Sequence, residues 1–295
     1  LKRLAEFVMR GRFQALLVTV VGAGSLLFCW ISAAALALVT LRKGPAAGAW
    51  LLLWAVLPAG TLLYVYGDSG PLALLLGTMV LALVLRASVS LPLAILACVP
   101  VGAVTGVALL ALGGQYLEQI ATYFGEFLAT LEQQLNEGGE QVELVRPGTF
   151  QIAGMLGAGT AMTAVVCLLL ARYWQAALYN PGGFGEEFRA LYYPPAVSAV
   201  LLLAGLGLGV MGLEYRTWAM LCLVPLTFAG LALVHARAAH RGQGRGWLAG
   251  FYLIWVIFDP VKLLVVGAAV LDSWMRFRQR WSGGSGKDVQ NRDED

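Results

Sequence analysis

LPLAILACVPVGAVTGVALLAL, the stretch Leu91–Leu112, runs for 22 residues without a single charge. A helix needs about 20 mostly apolar residues to cross roughly 30 Å of hydrocarbon. This stretch therefore reads as a transmembrane helix. Working outward, comparable apolar runs occupy 14–41, 47–66, 71–85, 149–171, 191–213, 217–236 and 246–271. Hydrophobic residues make up 59% of the chain and charged residues 13%, with a mean hydropathy of +0.74. A soluble domain of this length needs far more charge to cover its surface. The fold class expected is an all-α integral membrane protein, a multi-span helical bundle of about eight apolar runs. One polytopic domain fills 1–281. The tail 282–295, rich in Gly, Ser and charge, is expected to be disordered.

The net charge of +3 is small and gives no reason to expect a nucleic acid partner. Cys29, Cys98, Cys167 and Cys222 each sit inside an apolar run with no CxxC spacing. They read as small core residues, and neither a metal nor another cofactor is expected. The basic, amphipathic start (residues 1–12) precedes a run that ends at Leu41-Arg42-Lys43. A cleaved signal would end in small residues instead, so the segment is read as retained.

Basic residues decide the topology. With eight simple crossings, Arg42, Lys43, Arg86, Arg172, Arg189, Arg237, Arg241 and Arg245 would fall on the outer side, and Glu118, Glu126, Glu132, Glu137, Glu140 and Glu143 inside. That inverts the positive-inside bias. One change repairs it. The run 14–41 enters and returns to the same side as a hairpin broken near residues 24–32. The last run must then do likewise to keep Arg276, Arg278 and Arg280 inside, and it carries Asp259-Pro260 at its middle. Arms of about 12 residues reach only about 18 Å, so these would be re-entrant half-helices. Such bends need protein or a water-filled cavity around them. The expected location is a bacterial inner membrane, multi-pass, with both ends of the chain cytoplasmic.

In the external link, Leu117, Ile120, Phe124, Phe127, Leu128, Leu131 and Leu135 recur at helical spacing with Glu and Gln between them. An amphipathic helix lying on the outer membrane surface is expected; a lid over an outward cavity is the alternative. Gly102-x3-Gly106, Gly205-x3-Gly209 and the cluster at 154–159 mark close helix contacts, within the chain or across a homodimer face.

Candidate ligand-binding residues are Tyr64, Tyr66, Asp68, Tyr116 and Gln151 at the outer ends of the spans, and Asp259 with Lys262 inside the last run. Ionisable groups at membrane depth line pathways or pair with a partner, and at this spacing the last two can neutralise each other. The second candidate is the elbow RYWQAALYNPGGFGEEFRALYYPP at 172–195. Its Asn180-Pro181-Gly182-Gly183 is a turn signal, and Trp174, Tyr179, Tyr192 and Tyr193 suit the interface. Asn180, Gly183, Phe184, Glu187 and Arg189 are its candidate partner-docking residues. The alternative is an interfacial connector. HExxH, P-loop and GxSxG signatures are missing, so no enzyme is expected.

The segments AEFVMRGR (5–12), 35–44 ending LVTLRKG, the elbow 178–191, and LDSW (271–274) followed by Arg276 and Arg278 resemble the YybS-like family of bacterial polytopic membrane proteins. That family is remotely similar to the S components of energy-coupling-factor transporters. The carrying feature is a broken first hairpin followed by Gly44-Pro45 and Gly48. The resemblance implies an S-component-like part over 14–171, extra helices over 191–271, a small-molecule ligand and a membrane protein partner. Two functional readings follow. A substrate-binding subunit related to transport predicts a closed outward cavity. An inner-membrane scaffold or assembly partner predicts an exposed, lipid-filled groove, with the partner on the elbow or the outer helix. Membrane lipids surround the protein in either case.

Overall fold

The computed structural model describes residues 2–137 and 143–281. The expected disordered tail 282–295 and Glu140 lie outside the described residues, as does the side chain of Arg245. Most of the described residues are helical and none is in a strand. In chain order the helices are α1 (Lys2–Arg10), α2 (Arg12–Ala23), α3 (Cys29–Lys43), α4 (Pro45–Tyr66), α5 (Gly70–Ser88), α6 (Leu91–Leu96), α7 (Cys98–Leu112), α8 (Gly114–Glu137), α9 (Thr149–Tyr179), α10 (Gly183–Arg189), α11 (Pro195–Val210), α12 (Leu213–His240), α13 (Arg245–Ile257) and α14 (Asp259–Met275). The chain is a multi-pass helical membrane protein. Five helical segments are long and apolar enough to cross: α4, α5, α6 with α7, α9 and α12. The α13–α14 pair brings the number to six if counted as one broken span. This is fewer than the eight apolar runs. Run 14–41 is divided between α2 and α3, and run 191–213 contributes only the 16-residue α11.

Breaks fall where local chemistry puts them. Between α2 and α3 the chain turns at residues 24–28. The two helices then pack back on one another, with the Ser32 hydroxyl donating to the Thr19 carbonyl and Gly22 lying against Ser32. Between α13 and α14 the chain bends by 113° at Phe258, directly before Asp259-Pro260. Proline has no N–H to give and its ring crowds the preceding turn, which favours a bend there, although α4 and α12 continue through Pro58 and Pro225. The amphipathic helix expected in the long link is α8. Its Leu117 is buried, while Tyr123, Phe124 and Phe127 are exposed.

Side-chain contacts sort the helix ends into two groups. Arg42 lies 4.1 Å over the ring of Tyr179, Arg86 donates to the Leu41 carbonyl, Arg172 pairs with Glu187 at 2.7 Å, and Arg278 donates to the Arg189 carbonyl at 2.8 Å. Arg237 packs on Trp281 at 4.8 Å. The ends of α3, α5, α9, α12 and α14 thus share one basic end with the elbow. At the other end, Gln151 donates to the Leu213 carbonyl and Trp218 to the Phe150 carbonyl, while Tyr116 on α8 reaches Asp68. Because α13 follows the end of α12 and α14 finishes beside Arg189, the last pair enters and returns at the basic end.

The core sits around α9, which packs on α3, α5, α7 and α12. Its contact with α7 is made by backbone. A Cβ on Gly102 would meet the Gly157 carbonyl, and one on Gly106 the Ala153 carbonyl, both closer than 3.0 Å. The Gly102 and Gly106 pattern is therefore spent inside the chain. Gly207 and Gly209 on α11 have open space beside them. All four cysteines are free and buried.

Candidate functional site

The α13–α14 bend is the most unusual place in the bundle. Met162 on α9 and Thr227 on α12 stand beside it. Each lies 13 or 14 residues, about 20 Å at the helical rise, from the end of its helix opposite the basic end. The bend is therefore at membrane depth. Leu253, Ile254, Val256, Ile257, Phe258, Leu263 and Leu264 around it are all exposed. Among them sits an ion pair: Lys262 Nζ is 2.6 Å from Asp259 Oδ1. The Asp259 side chain is 86% exposed and that of Lys262 41%. The sequence expectation of mutual neutralisation is met in geometry. The shielding that a bend at this depth requires is not supplied by the described residues. Asp259 stands in the first turn of α14, where a carboxylate opposes the positive end of the helix dipole. One Asp259 oxygen and two of the three ammonium hydrogens remain unused by the pair.

Beside the pair lies an open crevice of about 360 Å³. Its walls are Met162, Leu223, Thr227, Trp255, Val256, Lys262, Leu263 and Val266, contributed by α9, α12, α13 and α14. Lys262 is its single charged lining residue. The close approach of Gly230 on α12 to the Val265 carbonyl brings α14 near enough to form it.

The elbow is a braced bracket rather than a loose loop. Gly182 turns the chain at φ +94, a left-handed conformation natural to glycine. Glu187 is taken by Arg172, and Phe184 stacks on Phe188 at 5.9 Å. Phe188 is buried edge-on against His235, which hydrogen-bonds Tyr252 at 2.8 Å. Tyr192 donates to the Ser273 carbonyl at 2.8 Å and Tyr193 to the Pro92 carbonyl at 3.0 Å. Of the candidate docking residues, Asn180 is exposed, while Gly183, Phe184, Glu187 and Arg189 are half-buried.

Of the candidate ligand residues at the opposite end, Asp68 and Tyr116 are brought together. Tyr64 and Tyr66 are exposed on the last turn of α4. Gln151 accepts from the Gly148 N–H and donates to the Leu213 carbonyl, so it caps α9 and ties it to α12. Asp68 accepts from the Gly70 N–H at 2.8 Å and from the Tyr116 hydroxyl at 3.3 Å. Burial, with Asp68 adding to it, pushes the Tyr116 phenol up to about 12 from its ordinary 10. A raised phenol pKa favours the folded state below pH 10, and that contribution is lost as pH climbs through 12. An ultraviolet titration should find one phenol ionising near 12 that moves down in Asp68→Asn. An unchanged titration would mean that burial alone sets it.

Sequence reasoning missed Trp255, Thr227 and Met162, which look like ordinary apolar-run residues. It also missed the buried pair of Asp272 with Arg278, whose Oδ2 and Nε are 3.3 Å apart. The available signal was an acid closing an apolar run just ahead of Arg276, Arg278 and Arg280. Among the described residues, no group of three or more His, Cys, Asp or Glu is placed to hold a metal ion. No family model, no characterised protein and no solved structure matches the chain.

Proposed function

We propose that the chain is a non-enzymatic subunit of a larger membrane assembly, and that a transmembrane helix of a partner protein covers the α13–α14 bend. The observation that carries this reading is the exposed Asp259–Lys262 pair at membrane depth. An Asp or Lys at a helix centre costs about 2.5–3.5 kcal/mol each against lipid. The break also leaves helix-end carbonyls and N–H groups with no helical partner. A neighbouring helix that brings a hydroxyl or amide to the pair relieves both costs. On this reading the protein is an inner-membrane scaffold or assembly partner whose contact is the lateral groove. The elbow, partly engaged internally, presents Tyr173, residues 179–182, Glu186, Ala190 and Pro194. The basic end faces the cytoplasm, following the positive-inside bias.

A second reading has its own observation. The crevice of about 360 Å³ falls within the range of small-molecule pockets, about 300–1,000 Å³. It favours a small-molecule-binding subunit related to transport, like the S components that the YybS-like resemblance suggests. The ligand would enter sideways through Lys262 rather than from an outward cavity.

Photo-crosslinking in native membranes separates the two. A crosslinker at Ile257 or Leu263 is expected to trap one other protein as a discrete band, and one at the exposed Val200 on α11 only lipid. Asp259→Lys should reduce the protein adduct at least tenfold. Adducts to phospholipid alone, or to a second copy of this chain, would overturn the partner reading. A stoichiometric small molecule retained by wild type and lost in Lys262→Met would replace it with the ligand reading.

A further inference from the structure

At the basic end, an open cavity of about 380 Å³ is lined by Ala190, Tyr192, Asp272, Arg276, Arg278 and Gln279. Asp272 already faces Arg278, so that pair is neutral. The surplus charge is Arg276, which has no side-chain partner among the described residues. Its backbone is the second observation. Arg276 closes α14 at φ +49, ψ +51, in the left-handed region. Among the described residues the same left-handed cap is taken by Gly67 after α4 and by Val89 after α5. A chain with 36 glycines has placed an arginine where the backbone asks for glycine. The third observation is the rim. Leu271 and Met275, four residues apart on one face at the end of α14 and next in the chain to Asp272 and Arg276, are exposed and apolar.

We infer that this cavity binds the phosphate-bearing headgroup of an anionic phospholipid, with Arg276 as its principal cation. Tyr192 and Gln279 line the same cavity beside the phosphate. The acyl chains lie along Leu271 and Met275. A basic pocket between helices at the cytoplasmic leaflet has the character such headgroups seek. Arginine suits a phosphate oxygen pair because its planar fork donates two parallel hydrogen bonds. The inference is independent of the partner at α13–α14.

The test uses the full chain, delipidated in neutral detergent and titrated by native mass spectrometry. The probes are phosphatidylglycerol, phosphatidylcholine and inorganic phosphate. Wild type should hold one phosphatidylglycerol about tenfold more tightly than phosphatidylcholine, on the scale of one charge-assisted hydrogen bond. Arg276→Gln should abolish that preference. Arg276→Gly is the decisive variant: it should melt no lower than wild type, because glycine fits the left-handed cap, and yet lose the preference. Arg280→Gln, exposed and outside the cavity lining, should keep it. The inference falls if Arg276→Gly retains the preference, or if Arg280→Gln loses as much, which would mean diffuse surface charge. Inorganic phosphate competing with the lipid at equal concentration would assign the cavity to free phosphate and overturn the lipid assignment.

Discussion

Gly157→Val is expected to lower the stability of the bundle by about 3 kcal/mol, the upper end of ordinary overpacking effects. Two backbones meet at this point. A Cβ on Gly157 would approach the Gly102 carbonyl oxygen closer than 3.0 Å, with the Gly102 carbonyl carbon and the Gly106 nitrogen next. A side chain in the way can rotate, but a carbonyl on an intact helix cannot. The only relief is to move α7 off α9, along one of the most extensive contacts in the molecule. Lipid makes this severe. Helix association in a bilayer draws little from the hydrophobic effect and depends on close packing. Gly159, two residues on, is exposed with nothing within 4 Å of its would-be Cβ. Gly159→Val should therefore stay within about 0.5 kcal/mol of wild type. Unfolding of both variants in mixed micelles, followed by circular dichroism, measures the difference. Equal midpoints would show that α7 and α9 are not held by this contact.

The same glycines illustrate what the sequence can and cannot convey. Spacing marked Gly102 and Gly106 as a place of close approach but not which helix approaches. The answer, Gly157 and Ala153, lies some 50 positions away and depends on how α9 is rotated. In a soluble bundle the polar face would fix that rotation. Here α4 and α7 are apolar all round, because lipid and core ask for the same residues. Breaks were easier to read because they are local. Asp259-Pro260 marks a break from the residues alone, and the 113° bend falls there. The periodic Leu and Phe of the link likewise became α8. Charge was legible in sum but not in pairing. Arg276, Arg278 and Arg280 read as one cytoplasmic cluster, yet Arg278 turns inward to Asp272 and Arg276 sits on a strained cap. Glu187 and Phe184, read as docking candidates, also make contacts within the chain that spacing does not show, with Arg172 and Phe188. A motif read along the chain shows which residues can bind, and the fold decides which of them are already occupied.

Asp272→Ala is expected to cost about 3 kcal/mol and to loosen the hold of α14 on the elbow. Asp272 is only 2% exposed. One of its oxygens accepts from the Phe277 N–H at 2.9 Å, and the other faces Arg278 Nε at 3.3 Å. Arg278 in turn donates to the carbonyls of Arg189 and Ala229. Burial pulls the Arg278 guanidinium pKa below its usual value, and Asp272 pushes it back up. Without the carboxylate, a mostly buried cation keeps its desolvation cost and loses its counter-charge, and the Phe277 N–H loses its acceptor. The cheaper response is for Arg278 to swing out to water, which releases the Arg189 carbonyl and with it one brace of α10. Two readouts should then move together. The unfolding midpoint should fall, and protease cleavage at Asn180–Gly183 should accelerate at least tenfold. Arg278→Leu alone should be as damaging, because it strands the buried carboxylate. Asp272→Ala with Arg278→Leu should recover about 2 kcal/mol relative to the sum of the single changes, the signature of two groups acting on each other. Strict additivity would mean that the arginine is held by the carbonyls alone. The carboxylate would then have no part in holding the elbow, which α14 would still meet through Tyr192 at the Ser273 carbonyl.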